Sequence, residues 1–130
     1  RKDNTNGEEN SVSEVLSKVG LLDRIEQRSG DLSYGHQRLL ELAMGMAQKP
    51  KLLILDEPTQ GLSDSEIENF KKLIRDISSS TTILLIEHNM DVVMSIADNI
   101  SVLHFGEIIA DGDKETIQND PIVQKAYLGD

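Results

Sequence analysis

Residues 52–59 read Leu-Leu-Ile-Leu-Asp-Glu-Pro-Thr, and this stretch decides the fold class of the chain. Its first four residues are all aliphatic, and such a short unbroken run is typical of a strand that is covered on both faces in a parallel sheet. A second such run, Ile-Leu-Leu-Ile, occupies residues 83–86. Between the two runs, Ser63 and Glu66 have the spacing of a capping box and predict the start of an amphipathic helix. Strand, helix and strand form a βαβ unit, so the sequence predicts an α/β fold with a parallel sheet core and flanking helices.

Helical patterns precede this unit. Residues 1–10 are polar and without periodicity, which predicts a loop or a frayed terminus. From Ser11 the apolar residues follow a helical spacing that ends at Gly20, a predicted C-terminal cap. A second helix is predicted over residues 34–48, with Ser33 as its N-cap.

Shorter elements follow the second aliphatic run. Residues 90–97 have a helical pattern, and residues 100–104 and 107–110 predict a hairpin around Gly106. The tail, residues 113–130, mixes short helical signals with Pro121. The sequence contains no internal repeat.

The composition excludes several classes of partner. The chain has 23 acidic and 13 basic residues, a formal charge of −10, which repels nucleic acid and anionic lipid surfaces. It has no cysteine, so disulfides and thiolate sites are excluded. No apolar run approaches the roughly 20 residues that span a bilayer. We therefore expect no nucleic-acid partner and no direct membrane insertion.

Two adjacent carboxylates, Asp56 and Glu57, follow the first aliphatic strand. Ligands bind at the carboxyl ends of strands in open α/β sheets. Because side chains alternate along a strand, one carboxylate can face a magnesium ion while the other faces an attacking water. Taken alone, the same residues are equally compatible with a polar turn that closes a strand.

Two further motifs give these carboxylates a context. Upstream, residues 32–37 read Leu-Ser-Tyr-Gly-His-Gln; downstream, residues 86–88 read Ile-Glu-His. With this order and spacing the chain resembles the ATP-binding-cassette (ABC) ATPases, whose signature is Leu-Ser-Gly-Gly-Gln. The present signature segment, residues 32–37, keeps the Leu, Ser and second Gly but has Tyr34 and His36 at the first Gly and the Gln.

The resemblance implies a partial P-loop NTPase fold of the ABC type. Residues 1–50 would form the C-terminal part of the helical subdomain with the signature segment. Residues 51–112 would form the core, and residues 113–130 a helical tail.

The resemblance also implies roles for residues of the core. Asp56 would support Mg²⁺, and Glu57 would be the base that orients the attacking water. His88 would be the switch histidine that contacts the γ-phosphate of ATP. Asp64 matches the aspartate of the family's D-loop, residues 61–64 here, which connects the two active sites of a dimer.

The signature segment would serve a different nucleotide. Ser33, Gly35 and His36 would contact ATP held by the opposing subunit, which implies a dimer with a second ABC ATPase subunit. Physically, the Ser33 hydroxyl and the amides of the following helix form an anion site, and Gly35 allows close backbone approach to a phosphate.

The phosphate-binding loop Gly-x-x-x-x-Gly-Lys is absent, since none of the nine glycines is followed by lysine. We therefore expect the 130 residues to be part of a longer protein and to hydrolyse little ATP alone. The first residue, Arg1, fits the same expectation.

The segments 105–112, 115–117 and 121–129 resemble the tail of importer ATPases for branched-chain amino acids. This branch implies transmembrane permease partners and a peripheral position on the cytoplasmic face of the membrane. Two alternatives stay open: a non-catalytic fragment or interaction module, and an ABC-type ATPase outside transport. The sequence leaves open the solute, the permease, and whether the dimer is homo- or heteromeric.

Overall fold

The computed structural model of the chain describes residues 5–128. The chain divides into two compact units, Arg1–Ile86 and Glu87–Asp130.

The first unit begins with two helices, α1 (Thr5–Lys18) and α2 (Tyr34–Ala47). Short 3₁₀ turns at Leu22–Arg24 and Ser29–Asp31 connect them. A small apolar core joins α1 to α2 and contains Val19, Leu21 and Ala43.

The loop predicted for residues 1–10 is wrong from Thr5 onward, because α1 begins at Thr5; residues 1–4 lie outside the described residues. Once the amphipathic part of a helix is packed, each added residue gains one hydrogen bond, so the helix extends into polar sequence. The predicted α2 is confirmed with Ser33 as its N-cap.

The βαβ unit is confirmed. Strand β1 (Leu52–Asp56) pairs in parallel with β2 (Thr82–Ile86), and α3 (Asp64–Ser78) connects them. The capping box between Ser63 and Glu66 forms as predicted. Helix α3 buries an apolar stripe at Phe70, Ile74 and Ile77, as expected for a crossover helix.

The two strands are not covered on both faces, contrary to the prediction. Leu52, Ile54, Leu84 and Ile86 are each about half exposed, whereas Leu53 is buried on the opposite face. In the parallel register these exposed positions share one face of the sheet. Helix α2 approaches the other face, where Gly45 lies against the Leu53 side chain. Within the described residues an apolar sheet face is therefore open.

The second unit contains α4 (Met90–Ile96) and the predicted hairpin, whose strands β3 (Ile100–His104) and β4 (Glu107–Gly112) pair antiparallel. The tail forms α5 (Lys114–Gln118) and α6 (Pro121–Val123), followed by a π-type turn, Gln124–Leu128. The core of this second unit consists of apolar residues from the hairpin and the tail: Ile100, Val102, Ile117 and Val123.

The tail is fixed to the hairpin by a side chain near its end. The hydroxyl of Tyr127 donates a hydrogen bond of 2.6 Å to the carbonyl of Leu103, and its ring meets the edge of His104. His104 thus contributes to the packing of the tail on the hairpin.

Among residues 5–128, no helix combines the length and the apolar character needed to cross a bilayer.

Candidate functional site

The signature segment forms the N-terminus of α2. The Ser33 hydroxyl oxygen accepts a hydrogen bond of 3.2 Å from the amide of His36, which caps the helix. The side-chain amide of Gln37 donates to the carbonyl of Leu32, 3.2 Å away, and fixes the chain just before the cap. Ser33 is exposed and Gly35 is buried. The first turn of α2 thus has the polar start that an anion site requires.

The two carboxylates lie at the carboxyl end of β1. Asp56 is the last residue of the strand, is exposed, and pairs in register with Ile86. The amide of the half-buried Glu57 donates a 2.8 Å hydrogen bond to the carbonyl of Ile86, so backbone pairing continues one residue beyond the strand. The backbone beneath both carboxylates is therefore anchored to β2.

Glu57 has a positive φ of 45°, in the left-handed region that non-glycine residues seldom adopt. The alternation of side chains along a strand, used above to separate the two carboxylates, therefore does not extend to Glu57. The left-handed turn sets the direction of Glu57 relative to Asp56 instead. Such conformations cost about 1–3 kcal/mol and cluster at functional sites.

A tight turn carries the chain from Glu57 to the D-loop. The amide of Gln60 donates to the carbonyl of Glu57 at 3.3 Å, and the amide of Leu62 donates to the carbonyl of the buried Thr59 at 3.2 Å. Asp64, the predicted D-loop aspartate, is the exposed first residue of α3. Its charge suits the positive end of that helix.

The structure brings the D-loop and the first turn of α3 against the signature segment. The ring of Tyr34 lies on Gly61, and the carboxylate of Glu66 lies against Gly35. From the sequence, Glu66 was predicted only to cap its own helix, and this contact was not predicted. The available signal was Gly35 itself, since a glycine in the first turn of a helix allows close approach of another group; the sequence analysis interpreted that group as a phosphate.

Two side chains at this junction have shifted pKa values. Hydrogen bonds from the backbone amide and the hydroxyl of Ser63 lower the pKa of Glu66, and the nearby His36 contributes in the same direction. Hydrogen bonds to Tyr34 and Glu41 raise the pKa of Arg38.

His88 belongs to the second unit, where it is exposed and directly precedes Asn89, the N-cap of α4. The side chain of Asn89 accepts a 3.3 Å hydrogen bond from the amide of Val92. His88 therefore lies in a short link between β2 and a capped helix. Its grouping with Asp56 and Glu57 stays a prediction.

The donor set fits magnesium only in part. Among residues 5–128, no group of three or more His, Cys, Asp or Glu side chains is arranged to hold a metal ion. Mg²⁺, however, is usually bound in nucleotide sites by one or two carboxylates together with phosphate oxygens and water. An exposed Asp56 at the end of β1 suits that mode of binding.

Known protein families match both ends of the chain. The family described as "ABC transporter" matches residues 2–60, and the family described as "Branched-chain amino acid ATP-binding cassette transporter" matches residues 107–130. The chain is 44% identical over 117 residues to the high-affinity branched-chain amino acid transport ATP-binding protein LivG of Escherichia coli K12. The chain belongs to the ATP-binding-cassette ATPase family. The family assignment confirms the recognition made from the three motifs.

Other members of the ABC ATPase family match at similar coverage. The ABC ATPase BraF of Pseudomonas aeruginosa, a branched-chain amino acid transport ATP-binding protein, is 45% identical over 117 residues. Each of these two alignments covers 88% of this chain and 46% of the relative, so the chain spans about half the length of these proteins.

The fold is confirmed by solved structures. An ATP-binding cassette of an ABC transporter in its ADP conformation superimposes with a TM-score of 0.83 at 28% identity, over 93% of this chain and 50% of that one. The nucleotide-free cassette of an ABC transporter gives a TM-score of 0.84 at 27% identity, over 99% and 52%. The chain therefore has the α/β fold of ABC ATPase cassettes.

Proposed function

We propose that this chain supplies part of the ATP-hydrolysing site of an importer subunit, with branched-chain amino acids or related amides as the transported solute. The observation that carries the proposal is the pair Asp56 and Glu57 at the carboxyl end of a parallel strand, anchored through the amide of Glu57 to Ile86. The relatives named above, which are ATP-binding proteins of branched-chain amino acid transport, support the solute class.

Each carboxylate has a separate task in this proposal. Asp56 holds Mg²⁺, which when bound neutralises charge that develops on the phosphates. Glu57 accepts a hydrogen bond from the attacking water and orients it toward the γ-phosphorus. Since positioning dominates phosphoryl transfer, the anchored backbone of Glu57 matters as much as its charge.

The signature segment acts on a second nucleotide. The Ser33 hydroxyl and the first amides of α2 bind the γ-phosphate of an ATP molecule that the opposing subunit holds. His36 adds a donor at the position of the family's glutamine, and Asp64 lies where the D-loop joins the two sites. His88 donates a hydrogen bond to the γ-phosphate of the first nucleotide and senses its loss.

The remaining parts of the machinery are also proposals. The phosphate-binding loop lies in the part of the relatives that the present 130 residues do not span. The functional assembly is a dimer of ATPase subunits on transmembrane permeases, at the cytoplasmic face of the membrane. ATP closes the dimer, and hydrolysis reopens it.

The test of the catalytic assignment is Glu57→Gln in the full-length protein. We expect ATP turnover to fall by roughly a hundredfold or more, while ATP binding is retained, because loss of a general base costs 10²–10⁴-fold. The matched control is Glu68→Gln, which removes an exposed carboxylate on α3 that pairs with Lys71. Unchanged turnover in Glu57→Gln would overturn the assignment.

The test of the solute is uptake by the full-length protein assembled with its permease in proteoliposomes. We expect ATP-dependent uptake of labelled leucine, isoleucine or valine. Labelled phosphate is the counter-substrate, because a phosphate import ATP-binding protein of Campylobacter jejuni is also 35% identical over 131 residues. Phosphate uptake without amino-acid uptake would refute the proposed solute.

The non-catalytic alternative has its own test. If the 130 residues act as an interaction module, they bind an ATPase or permease partner but release no phosphate from Mg·ATP. Magnesium-dependent hydrolysis by the isolated chain would exclude that alternative.

A further inference from the structure

The first contact between the signature segment and the D-loop involves an aromatic ring. A methyl group built on Gly61 would lie 2.9 Å from Cε1 and 3.4 Å from Cζ of Tyr34, so the ring fills the space above this glycine. Gly61 also has a φ of +79°, which disfavours every other residue. The D-loop backbone therefore approaches Tyr34 closely and does so only because position 61 is glycine.

The ring of Tyr34 is itself held in place. Its hydroxyl oxygen accepts hydrogen bonds from two nitrogens of Arg38, Nε at 3.1 Å and Nη2 at 2.8 Å. The third guanidinium nitrogen, Nη1, donates to Glu41 at 2.9 Å, and the guanidinium carbon is 5.2 Å from the ring centroid. Although Tyr34 is half exposed, these contacts fix its orientation from helix α2.

The second contact involves a carboxylate. A methyl group on Gly35 would overlap the carboxylate of Glu66, with the Cδ atom only 2.6 Å away. The same carboxylate accepts hydrogen bonds from the amide of Ser63 at 2.8 Å and from its hydroxyl at 2.9 Å. Glu66 thus touches the signature helix on one side and the last turn of the D-loop on the other.

We propose that Tyr34 and Glu66 are positioning residues that make the signature segment and the D-loop move as one body. Tyr34 replaces the first glycine of the family's signature. In the structure its ring contacts Gly61, which directly follows the turn from Glu57 to Gln60. This inference rests on the proposed function, in which both segments face nucleotide. Occupation of the signature by a γ-phosphate then fixes the D-loop, and with it the turn that carries the base Glu57.

The first experiment measures coupling without catalysis. Amide hydrogen exchange of residues 57–66 is compared in the full-length protein and its Tyr34→Gly and Tyr34→Phe variants. We expect exchange in this segment to rise by about fivefold in Tyr34→Gly, since the ring is lost, and to stay near the original rate in Tyr34→Phe, which keeps the ring. Equal exchange in all three proteins would overturn the proposal.

The second experiment separates positioning from binding. In Tyr34→Gly we expect kcat for ATP to fall roughly tenfold or more with KM nearly unchanged, because misplacement of reacting groups lowers turnover rather than affinity. In Tyr34→Phe, which keeps the ring, we expect kcat to stay within about twofold of that of the original protein. A rise in KM with kcat unchanged would show that Tyr34 contributes to nucleotide binding alone.

A double-mutant cycle tests the contact itself. Gly61→Ala incurs the same backbone strain in every background, but its methyl group meets the ring only when Tyr34 is present. We expect Gly61→Ala to lower kcat more in the original protein than in Tyr34→Gly. Additive effects would overturn the proposed contact. If the original protein hydrolyses no ATP, the proposed function fails, and hydrogen exchange still decides the coupling.

Discussion

The capping box of α3 gives the sharpest stability prediction, through Ser63→Ala. The substitution removes three hydrogen bonds of the hydroxyl. One is accepted from the amide of Glu66 at 3.4 Å, one is donated to the Glu66 carboxylate at 2.9 Å, and one joins the hydroxyl of Ser65 at 3.2 Å. The backbone amide of Ser63 keeps its 2.8 Å bond to that carboxylate. Because the site is exposed and water replaces part of the loss, we expect a destabilisation of about 1 kcal/mol, typical of a lost N-cap.

Urea unfolding of the 130-residue chain, followed by circular dichroism, measures this change. With a slope of about 1–3 kcal/mol/M, the expected fall in the unfolding midpoint is roughly 0.3–1 M. Ser79→Ala is the matched control: it also removes a hydroxyl, which donates to the carbonyl of Asp76 at the C-terminal end of α3 and caps no amide. Its expected effect is within about 0.5 kcal/mol.

The same variant has a defined pH dependence. Hydrogen bonds from Ser63 hold the pKa of Glu66 below its ordinary value of 4.5. When folding lowers the pKa of a carboxyl, the stabilisation is fully present at pH values above the pKa of the unfolded state. This contribution is lost as the pH falls through the lower pKa of the folded state. The difference between Ser63→Ala and the original chain is therefore largest at neutral pH and shrinks as the pH falls below the ordinary pKa of the carboxyl. A midpoint equal to that of the Ser79→Ala control, or a difference that does not shrink, would refute this reasoning.

Three further substitutions test other parts of the structure. Gly35→Ala forces a methyl group against the carboxylate described above and should lower the unfolding midpoint, whereas Gly30→Ala, with open space around it, should leave the midpoint nearly unchanged. Tyr127→Phe removes the hydrogen bond to the carbonyl of Leu103 and should cost about 1 kcal/mol, with faster proteolysis of the tail as a second readout. The half-exposed apolar sheet face should make the isolated chain self-associate, and Leu84→Thr, which places a hydroxyl on that face, should reduce this association in sedimentation velocity. A chain that stays monomeric, or association that Leu84→Thr leaves unchanged, would contradict this prediction.

Local sequence signals predicted most of the fold. The two aliphatic runs, the capping box of α3 and the Ser33 cap of α2 each depend on residues a few positions apart, and all four elements are confirmed. The predicted coverage of the two strands on both faces is wrong, because coverage depends on packing and not on the run itself. The prediction failed for Thr5 to Asn10, where a polar segment continues a helix that is packed further along the chain. Helix propagation depends on that packing, which local composition does not report.

The candidate site was predicted less completely. The sequence singled out Asp56 and Glu57 and the signature segment, because the adjacent carboxylates follow an aliphatic run and the three motifs have the order and spacing of the ABC ATPases. It did not predict the left-handed backbone of Glu57, since a positive φ at a residue other than glycine is imposed by the surrounding turn.

The sequence by itself determined the elements, their order and the family, because hydrophobic period, caps and motifs are all local or ordered along the chain. Only the tertiary structure decided that Tyr34 rests on Gly61 and that Glu66 lies against Gly35. These residues are separated by about thirty positions in sequence, and their contact depends on how α2 packs against the βαβ unit. Close approach between distant segments is set by packing of the whole unit. A glycine in the sequence can therefore indicate that another segment approaches it, but the sequence does not show which segment that is.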